Sequence, residues 1–304
     1  MAERFLVTGA YGCIGAWAVH ELVASGRTVV TFDLSDEPRR LHLLLDADAV
    51  AAIPHVAGDI TDLRAVEQAM EGATHVIHLA ALQVPFVRAD PPLGARVNVL
   101  GSVHVFEAAK RHGLGSIVYA SSVAALDRSG GTAGPPATLY GAFKRANEHS
   151  AHVYFEEDGI SSIGLRPHTV YGVGRDQGLT SAPTAAMLAA AAGNEYRIPY
   201  GGACQMQFAR DVARAFVAAA DASAEGATVH NLPGRRTAIA DVVAAIASPA
   251  ITFEDVRLPF PEEVDSASFS ASFPGVGQTP LEEGVRTTID RFRQLLAEGL
   301  VTAG

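Results

Sequence analysis

The chain has 304 residues, 48% of them apolar and 18% charged, which excludes a disordered polymer and is enough for one large α/β core or a core with a smaller lobe. A net charge of -10 excludes a nucleic-acid or anionic-membrane surface built on clustered Lys and Arg, and points to a small-molecule partner. Cys13 and Cys204 are the only cysteines, too few for a disulfide framework or a thiolate metal site, and they fit a reducing compartment.

Met-Ala-Glu-Arg leads directly into an apolar strand, Phe5–Val7, with no basic and apolar leader. The Ala-rich run 182–192 carries Pro183 and is too short to span a bilayer, so a cytoplasmic protein without membrane contact is expected. Further strands read at Thr28–Phe32, His55–Ala57, Val76–Leu79, Ile117–Ala120 and Ser162–Leu165. Helices read between them at Ile14–Ser25, Leu63–Met70, Leu93–His112 and Leu139–Asp158, the first stopped by Gly26 and the third by Gly113. This alternation predicts a parallel sheet of βαβ units. Beyond Arg166-Pro167 the pattern loosens into Gly- and Pro-containing loops, with helices near Thr184–Ala192 and Val212–Ala220. At the end, Thr279 and Glu282 suggest a capping box with Pro280 in the first turn. Leu281, Val285, Ile289, Phe292 and Leu296 form the apolar stripe of that helix.

Gly9, Gly12 and Gly15 lie between the first strand and the first helix. Such glycines let a dinucleotide's pyrophosphate approach free backbone amides, although a ligand-free turn has the same composition. The expected fold is therefore a doubly wound Rossmann-type parallel sheet with a smaller C-terminal substrate lobe. Residues 1–165 form the dinucleotide-binding domain, and 166–304 form mostly the substrate lobe, interleaved with the sheet in one folding unit. Asp33 ends the second strand, 18 residues beyond Gly15, where a carboxylate accepts from ribose hydroxyls and repels a 2′-phosphate. NAD is thus preferred to NADP, with Arg39 and Arg40 as potential phosphate partners; a turn Asp is the alternative. Asp59 reads equally as an adenine contact or a helix cap.

Tyr140 and Lys144 stand one helical turn apart, so phenol and ammonium project from one face. A phenol needs help to act as a base, and a neighbouring cation favours the phenolate. Ser121 and Ser122 end the fifth strand at its carboxyl edge and supply a hydroxyl donor, with turn capping as the alternative role. The 11 histidines show no HxxxH or HExxH grouping, so no metal is expected.

These motifs resemble the extended short-chain dehydrogenase/reductases, of the nucleotide-sugar epimerase and dehydratase type, over nearly the whole length. The matching segments are Thr8 to Gly15, Asp33, Gly58-Asp59, His78-Leu79-Ala80-Ala81, Val97 to Gly101, Ser121-Ser122, Tyr140 to Lys144, Arg166-Pro167, Val170-Tyr171-Gly172 and Arg210 to Ala213. The resemblance implies that Ser122 holds the substrate oxygen, Tyr140 is the acid/base and Lys144 holds the cofactor ribose. It implies cofactor contacts from Gly9, Tyr11, Gly12, Cys13, Ile14, Gly15, Asp33, Asp59, Ile60, Leu79, Ala80, Ala81, Asn98 and Pro167. A homodimer through helices 93–112 and 139–158 is also implied. Two departures bear on the substrate. Val123 and Ala124 follow Ser122 where sugar dehydratases carry an Asp-Glu pair. Thr169 and the stretch 204–207 lack the Asn and Arg with which sugar-nucleotide members grip a diphosphate. The first reading is an NAD-dependent oxidoreductase acting on a secondary alcohol or lactol of a sugar or sugar acid, with Gln83, Ser122, His168, Thr169 and Arg175 as substrate contacts. The second is a nucleotide-sugar epimerase with tightly bound NAD. A non-enzymatic dinucleotide sensor is a third, which would not need the Ser-Tyr-Lys set.

Overall fold

The computed structural model describes residues 3–222 and 225–302. The first half alternates strands and helices: β1 (Arg4–Thr8), α1 (Cys13–Ala24), β2 (Thr28–Asp33), α2 (Ala47–Ala51), β3 (His55–Ala57), α3 (Leu63–Met70) and β4 (His75–His78). Then come α4 (Val84–Ala89), α5 (Pro91–Ala95), α6 (Gly101–His112), β5 (Ser116–Ala120), α7 (Leu139–Asp158) and β6 (Ser161–Arg166). The strands are short apolar, β-branched runs buried on both faces, as a parallel sheet requires. The second half comprises β7 (Thr169–Tyr171), α8 (Ala182–Ala192), β8 (Tyr196–Ile198), β9 (Ala203–Phe208), α9 (Ala209–Asp221), β10 (Ala227–Asn231), β11 (Arg235–Ala238), α10 (Ile239–Ile246), β12 (Ile251–Phe253), α11 (Ala267–Ser272) and α12 (Leu281–Ala297).

Seven strands form one all-parallel sheet in the order β10-β6-β5-β4-β1-β2-β3. The chain leaves β1 toward β2 on one side and returns to β4 on the other, so a crevice opens beyond Thr8, which is in register with both Phe32 and His78. Cores lie on both faces: α1, α8, α9 and α12 cover one, and α3, α6 and α7 the other. A three-stranded sheet, β11-β9-β7, takes up the chain after β6, and Thr169 and Val170 of β7 line the crevice.

Two expectations change. The helix expected at 93–112 is continuous but not α-helical throughout: between α5 and α6 the backbone widens into a π-helical turn at Arg96–Leu100. There the Asn98 carbonyl accepts from Ser102 Oγ (2.9 Å) and Asn147 Nδ2 (2.7 Å), side-chain demands that apolar periodicity does not reveal. The capping box before α12 does not form. Thr279 instead donates through N (2.6 Å) and Oγ1 (3.0 Å) to the Asp211 carboxylate, leaving Pro280 at the cap with no side-chain acceptor. Val285, Ile289 and Phe292 are buried as the stripe predicts, while Leu295 rather than Leu296 completes it. Among the described residues no helix is long and apolar enough to cross a membrane.

Candidate active site

The crevice begins at the glycine loop. Gly9 has φ +65, and a Cβ there would lie 2.6 Å from the Ala80 nitrogen; one on Gly15 would lie 2.1 Å from the Gly9 carbonyl. Only hydrogen fits, so the turn passes close under the 79–81 segment. No side chain caps α1 and its first turn carries no acidic residue, which leaves a positive helix end facing the crevice. Burial pushes the Cys13 thiol up to about 11, so this loop carries no thiolate. The cradle fits a dinucleotide pyrophosphate.

An adjoining cavity of about 450 Å³ is lined by Tyr11, Asp33, Gly58, Asp59, Ile60 and Ala80, with Arg39 and Arg40 at its rim. Asp33 Oδ2 accepts from the Tyr11 amide at 2.9 Å, joining the strand end to the glycine loop. Tyr11 stacks on His55, ring centroids 4.7 Å apart. Asp59 does not cap α3; it accepts from Thr61 N at 2.8 Å, while Asp62 caps the helix through Arg64 N. Asn98 lies behind the wall of this cavity: it is buried, and its amide exchanges two hydrogen bonds with the Leu82 backbone, at 2.7 and 2.8 Å. It shapes the 79–82 segment from beneath. His78 continues that support, meeting Thr8 Oγ1 at 2.8 Å and Ser102 Oγ at 3.0 Å, and burial then the Lys144 charge push its pKa down to about 3.

Beyond the glycine loop a cavity of about 200 Å³ holds the reactive side chains, including Leu79, Ala81, Ser122, Tyr140, Lys144 and Pro167. The two serines separate cleanly. Ser121 donates to Glu148, itself gripped by Arg166 at 2.7 and 2.6 Å, so its hydroxyl is committed to a partly buried ion pair. Ser122 accepts from Ala124 N at 3.1 Å, which leaves its proton to the cavity side where Tyr140 stands. Tyr140 comes close because Gly141 follows it: a Cβ there would sit 1.9 Å from the Ala124 carbonyl. Burial raises the Tyr140 pKa, and the Ser122 hydroxyl and Arg175 charge act against that rise. Lys144 donates to the Ala120 carbonyl at 2.7 Å, with its nitrogen 5.8 Å from the Tyr140 ring centroid. Burial lowers its pKa to about 8, opposed by Glu148. The Ser122 hydroxyl and the Arg175 charge thus favour the phenolate, the same direction expected of Lys144 from the sequence.

The same cavity includes Gln83, His168, Thr169, Arg175, Thr180 and Phe260. Arg175 donates to Gln83 Oε1 and Thr180 Oγ1, both at 3.2 Å, and its buried Nε has no partner among the described residues. His168 donates from Nε2 to the Pro261 carbonyl at 2.7 Å, and burial lowers its pKa to about 4 against that bond. Phe260, Thr180 and the pairing of Arg39 and Arg40 with Asp176 escaped the sequence reading. Arg39 and Arg40 stand out in the sequence, but nothing in the spacing marks Asp176 or Phe260. Among the described residues no three His, Cys, Asp or Glu side chains group as metal ligands would.

A glycine-cradled dinucleotide crevice at the switch point of a parallel sheet, meeting a Ser-Tyr-Lys corner, defines a nicotinamide-dependent enzyme of the short-chain dehydrogenase/reductase type. The family model "NAD dependent epimerase/dehydratase family" matches residues 5–232, and the chain belongs to that family. It is an NAD-dependent enzyme. The chain is 29% identical over 314 aligned positions to a UDP-glucose 4-epimerase of Mycolicibacterium smegmatis, covering 95% of this chain and 98% of that one. It is 30% identical to a uronate dehydrogenase of Pseudomonas syringae over 54% of this chain and 58% of the relative. Among solved structures it is similar to the Thermus thermophilus UDP-glucose 4-epimerase in complex with NAD. The TM-score there is 0.80 at 28% identity, covering 95% of this chain and 99% of that one.

Proposed function

We propose that this enzyme is a net oxidoreductase that moves a hydride between nicotinamide and a secondary alcohol or lactol of a small polyhydroxylated substrate, specifically a free sugar acid. The observation that supports this reading best is Arg175 in the reactive cavity, with one buried nitrogen unpartnered and its other bonds long. A carboxylate would satisfy that guanidinium bidentately, as neutral Gln83 and Thr180 cannot. Phe260 and the His168–Pro261 bond wall one side of that cavity, and the β9 segment Ala203–Phe208 carries no cation for a diphosphate.

In this assignment Gly9, Tyr11, Gly12, Cys13, Ile14 and Gly15 hold the pyrophosphate and Asp33 the ribose hydroxyls. Asp59 and Ile60 flank the adenine, while Leu79, Ala80, Ala81 and Pro167 line the nicotinamide half. Asn98 acts on that half only through Leu82. Bound NAD supplies the hydride acceptor. Ser122 donates to the substrate oxygen, Tyr140 takes the carbinol proton or returns it, and Lys144 fixes the nicotinamide ribose. Gln83, His168 and Thr169 orient the remaining hydroxyls. Residues 1–165 serve as the dinucleotide half, and 166–304 supply most of the substrate wall. A homodimer through α5 to α6 and α7 is supported by the exposed Leu100, Leu139 and Val153 on those helices. Two free cysteines fit a cytoplasmic setting.

The similarity to UDP-glucose 4-epimerases over nearly full length favours a second reading, nucleotide-sugar epimerisation, in which the hydride returns to the opposite face. The test is NADH formation by the purified protein across free sugars, uronic acids, other hydroxy acids and nucleotide sugars, with each mixture checked for isomers. Accumulating NADH with a uronic acid is expected. Isomerised nucleotide sugar without NADH would replace the first reading by the second.

A further inference from the structure

Two loops from opposite banks of the cofactor crevice meet at Asp176. Arg40 donates to its Oδ1 from Nε (3.1 Å) and the terminal nitrogen (2.6 Å), and Arg39 donates to its Oδ2. Arg40 also donates from its other terminal nitrogen to the Tyr11 carbonyl at 2.8 Å, so the same guanidinium reaches the glycine loop. Both loops belong to the wall of the adenosine-side cavity, one through Asp33 to Arg40, the other through Gly174 to Gln177. The bridge therefore spans the crevice where a dinucleotide would lie along it. Glycines bracket the second loop: Gly172, Gly174 and Gly178 have φ of +132, +86 and +101, conformations that ordinary residues rarely adopt. Gly174 has the Arg40 side chain packed against it, with a Cβ position 3.6 Å from Arg40 Cδ. Arg175, the cation of the reactive cavity, is the residue before Asp176.

We propose that Asp176 is the cofactor-retaining residue of this enzyme. Its carboxylate straps the 33–40 loop to the 172–178 loop across bound NAD, and the cofactor leaves only when this ion pair opens. Bonded to Asp176, Arg39 and Arg40 hold the strap rather than a 2′-phosphate. Because Arg175 rides on the same loop, opening the strap also loosens the reactive cavity, so cofactor release and substrate grip are coupled. The strap closes over NAD and stands whichever substrate is turned over. Its strength is modest: Asp176 is 37% exposed and Arg39 65%, so salt screens the pair.

The experiment measures the NADH dissociation rate by stopped-flow fluorescence, trapping released NADH with excess NAD, in the unmodified protein, Asp176→Asn and Asp176→Glu, from low to high NaCl. Asp176→Asn is expected to release NADH roughly three- to tenfold faster at low salt, the range of one or two partly exposed pairs. In the unmodified protein release accelerates with salt, in Asp176→Asn it is nearly salt-independent, and Asp176→Glu recovers most of the salt dependence. Release from Asp176→Asn at the unmodified rate overturns the proposal. So does faster release with an unchanged salt slope, because the carboxylate would then matter to loop shape and not as an ion pair. Near-ultraviolet circular dichroism of the Asn variant identifies any folding loss, and Arg39→Gln, whose side chain touches only Asp176 in this bridge, gives an independent reading with the same expected direction.

Discussion

His168 Nε2 donates to the carbonyl of Pro261 across 2.7 Å, tying the residue that precedes β7 to a segment 93 residues away, next to Phe260 in the wall of the reactive cavity. The bond needs a proton on Nε2, and the ring is neutral near pH 7 because burial lowers the imidazole pKa to about 4 against the pull of that carbonyl.

Acid stability follows from that shift and two others in the same direction, His78 at about 3 and His230 lowered by burial. Each of these histidines binds its proton more readily unfolded than folded. Their contribution is complete above the unfolded pKa of about 6.5 and declines as pH falls toward the folded values. Glu21, lowered to about 2 despite its burial by bonds from His20, Arg210 and Arg214, contributes above 4.5 and loses that only from 4.5 to 2. Between pH 6.5 and 4.5 the histidines therefore dominate. Melting temperature should drop across this window, and His168→Gln, which still donates but does not titrate, should flatten the decline. An unchanged slope in His168→Gln would remove His168 from this account.

Tyr140→Phe keeps the ring and removes the proton acceptor. Turnover should fall by about 10² to 10⁴, the usual worth of a positioned general base, while NADH affinity measured by fluorescence stays within roughly twofold. In the unmodified enzyme, oxidation should rise toward alkaline pH, because burial raises the Tyr140 pKa and the phenolate is the active form. A Phe variant that keeps a tenth of the activity would end the acid/base assignment.

Much of this was readable beforehand, for a physical reason. Strands Phe5–Val7 and Ile117–Ala120 and the helix Leu139–Asp158 announce themselves because local periodicity, glycine stops and tertiary burial agree. Motifs fixed in sequence, such as Tyr140 with Lys144, need only one helix to be placed. What escaped depends on partners far apart. Thr279 abandons Glu282 for Asp211, Asn98 distorts a helix to serve Leu82 and Asn147, and Asp176 meets Arg40 across 136 positions. Such choices are made by three-dimensional neighbours, which composition and spacing do not encode.

Arg175 joins the substrate pocket to the acid/base group, so its removal should have two signatures. Arg175→Ala should raise KM for a carboxylated sugar roughly 10- to 100-fold, as expected for a charged hydrogen bond of about 1.5–3 kcal/mol, and leave a neutral sugar almost unaffected. Because Arg175 opposes the raised pKa of Tyr140, the alkaline limb should also move to higher pH. Equal KM changes for charged and neutral sugars would assign Arg175 to packing alone.

Gly141 offers a purely steric check of the same corner. Alanine there would place a methyl 1.9 Å from the Ala124 carbonyl, and the obstacle is backbone, so the Ser122 turn and α7 must separate. Gly141→Ala should cost about 1–3 kcal/mol or more of stability and should depress turnover beyond any loss of NADH binding. Thermal melting together with separate NADH titration would show this. Wild-type turnover in a stably folded variant would mean that the corner tolerates a shift of more than an ångström.

Asp33 bears on cofactor choice in two ways that one variant can separate. Its Oδ2 accepts from the Tyr11 amide, and its charge faces the ribose end of the crevice, where a 2′-phosphate would be repelled. Asp33→Asn retains an acceptor for Tyr11 and removes the charge; Asp33→Ala removes both. If charge sets the preference, both variants should narrow the ratio of kcat/KM for NAD over NADP about tenfold or more, a change of about 1.4 kcal/mol. If the Tyr11 bond sets it, only Asp33→Ala should lose NAD affinity and neither should gain on NADP. Arg39 and Arg40 add direction to the expectation, because Asp176 holds both and neither is free to reward a 2′-phosphate in the unmodified enzyme. NADP as the better cofactor of the unmodified protein would overturn the assignment of Asp33 altogether.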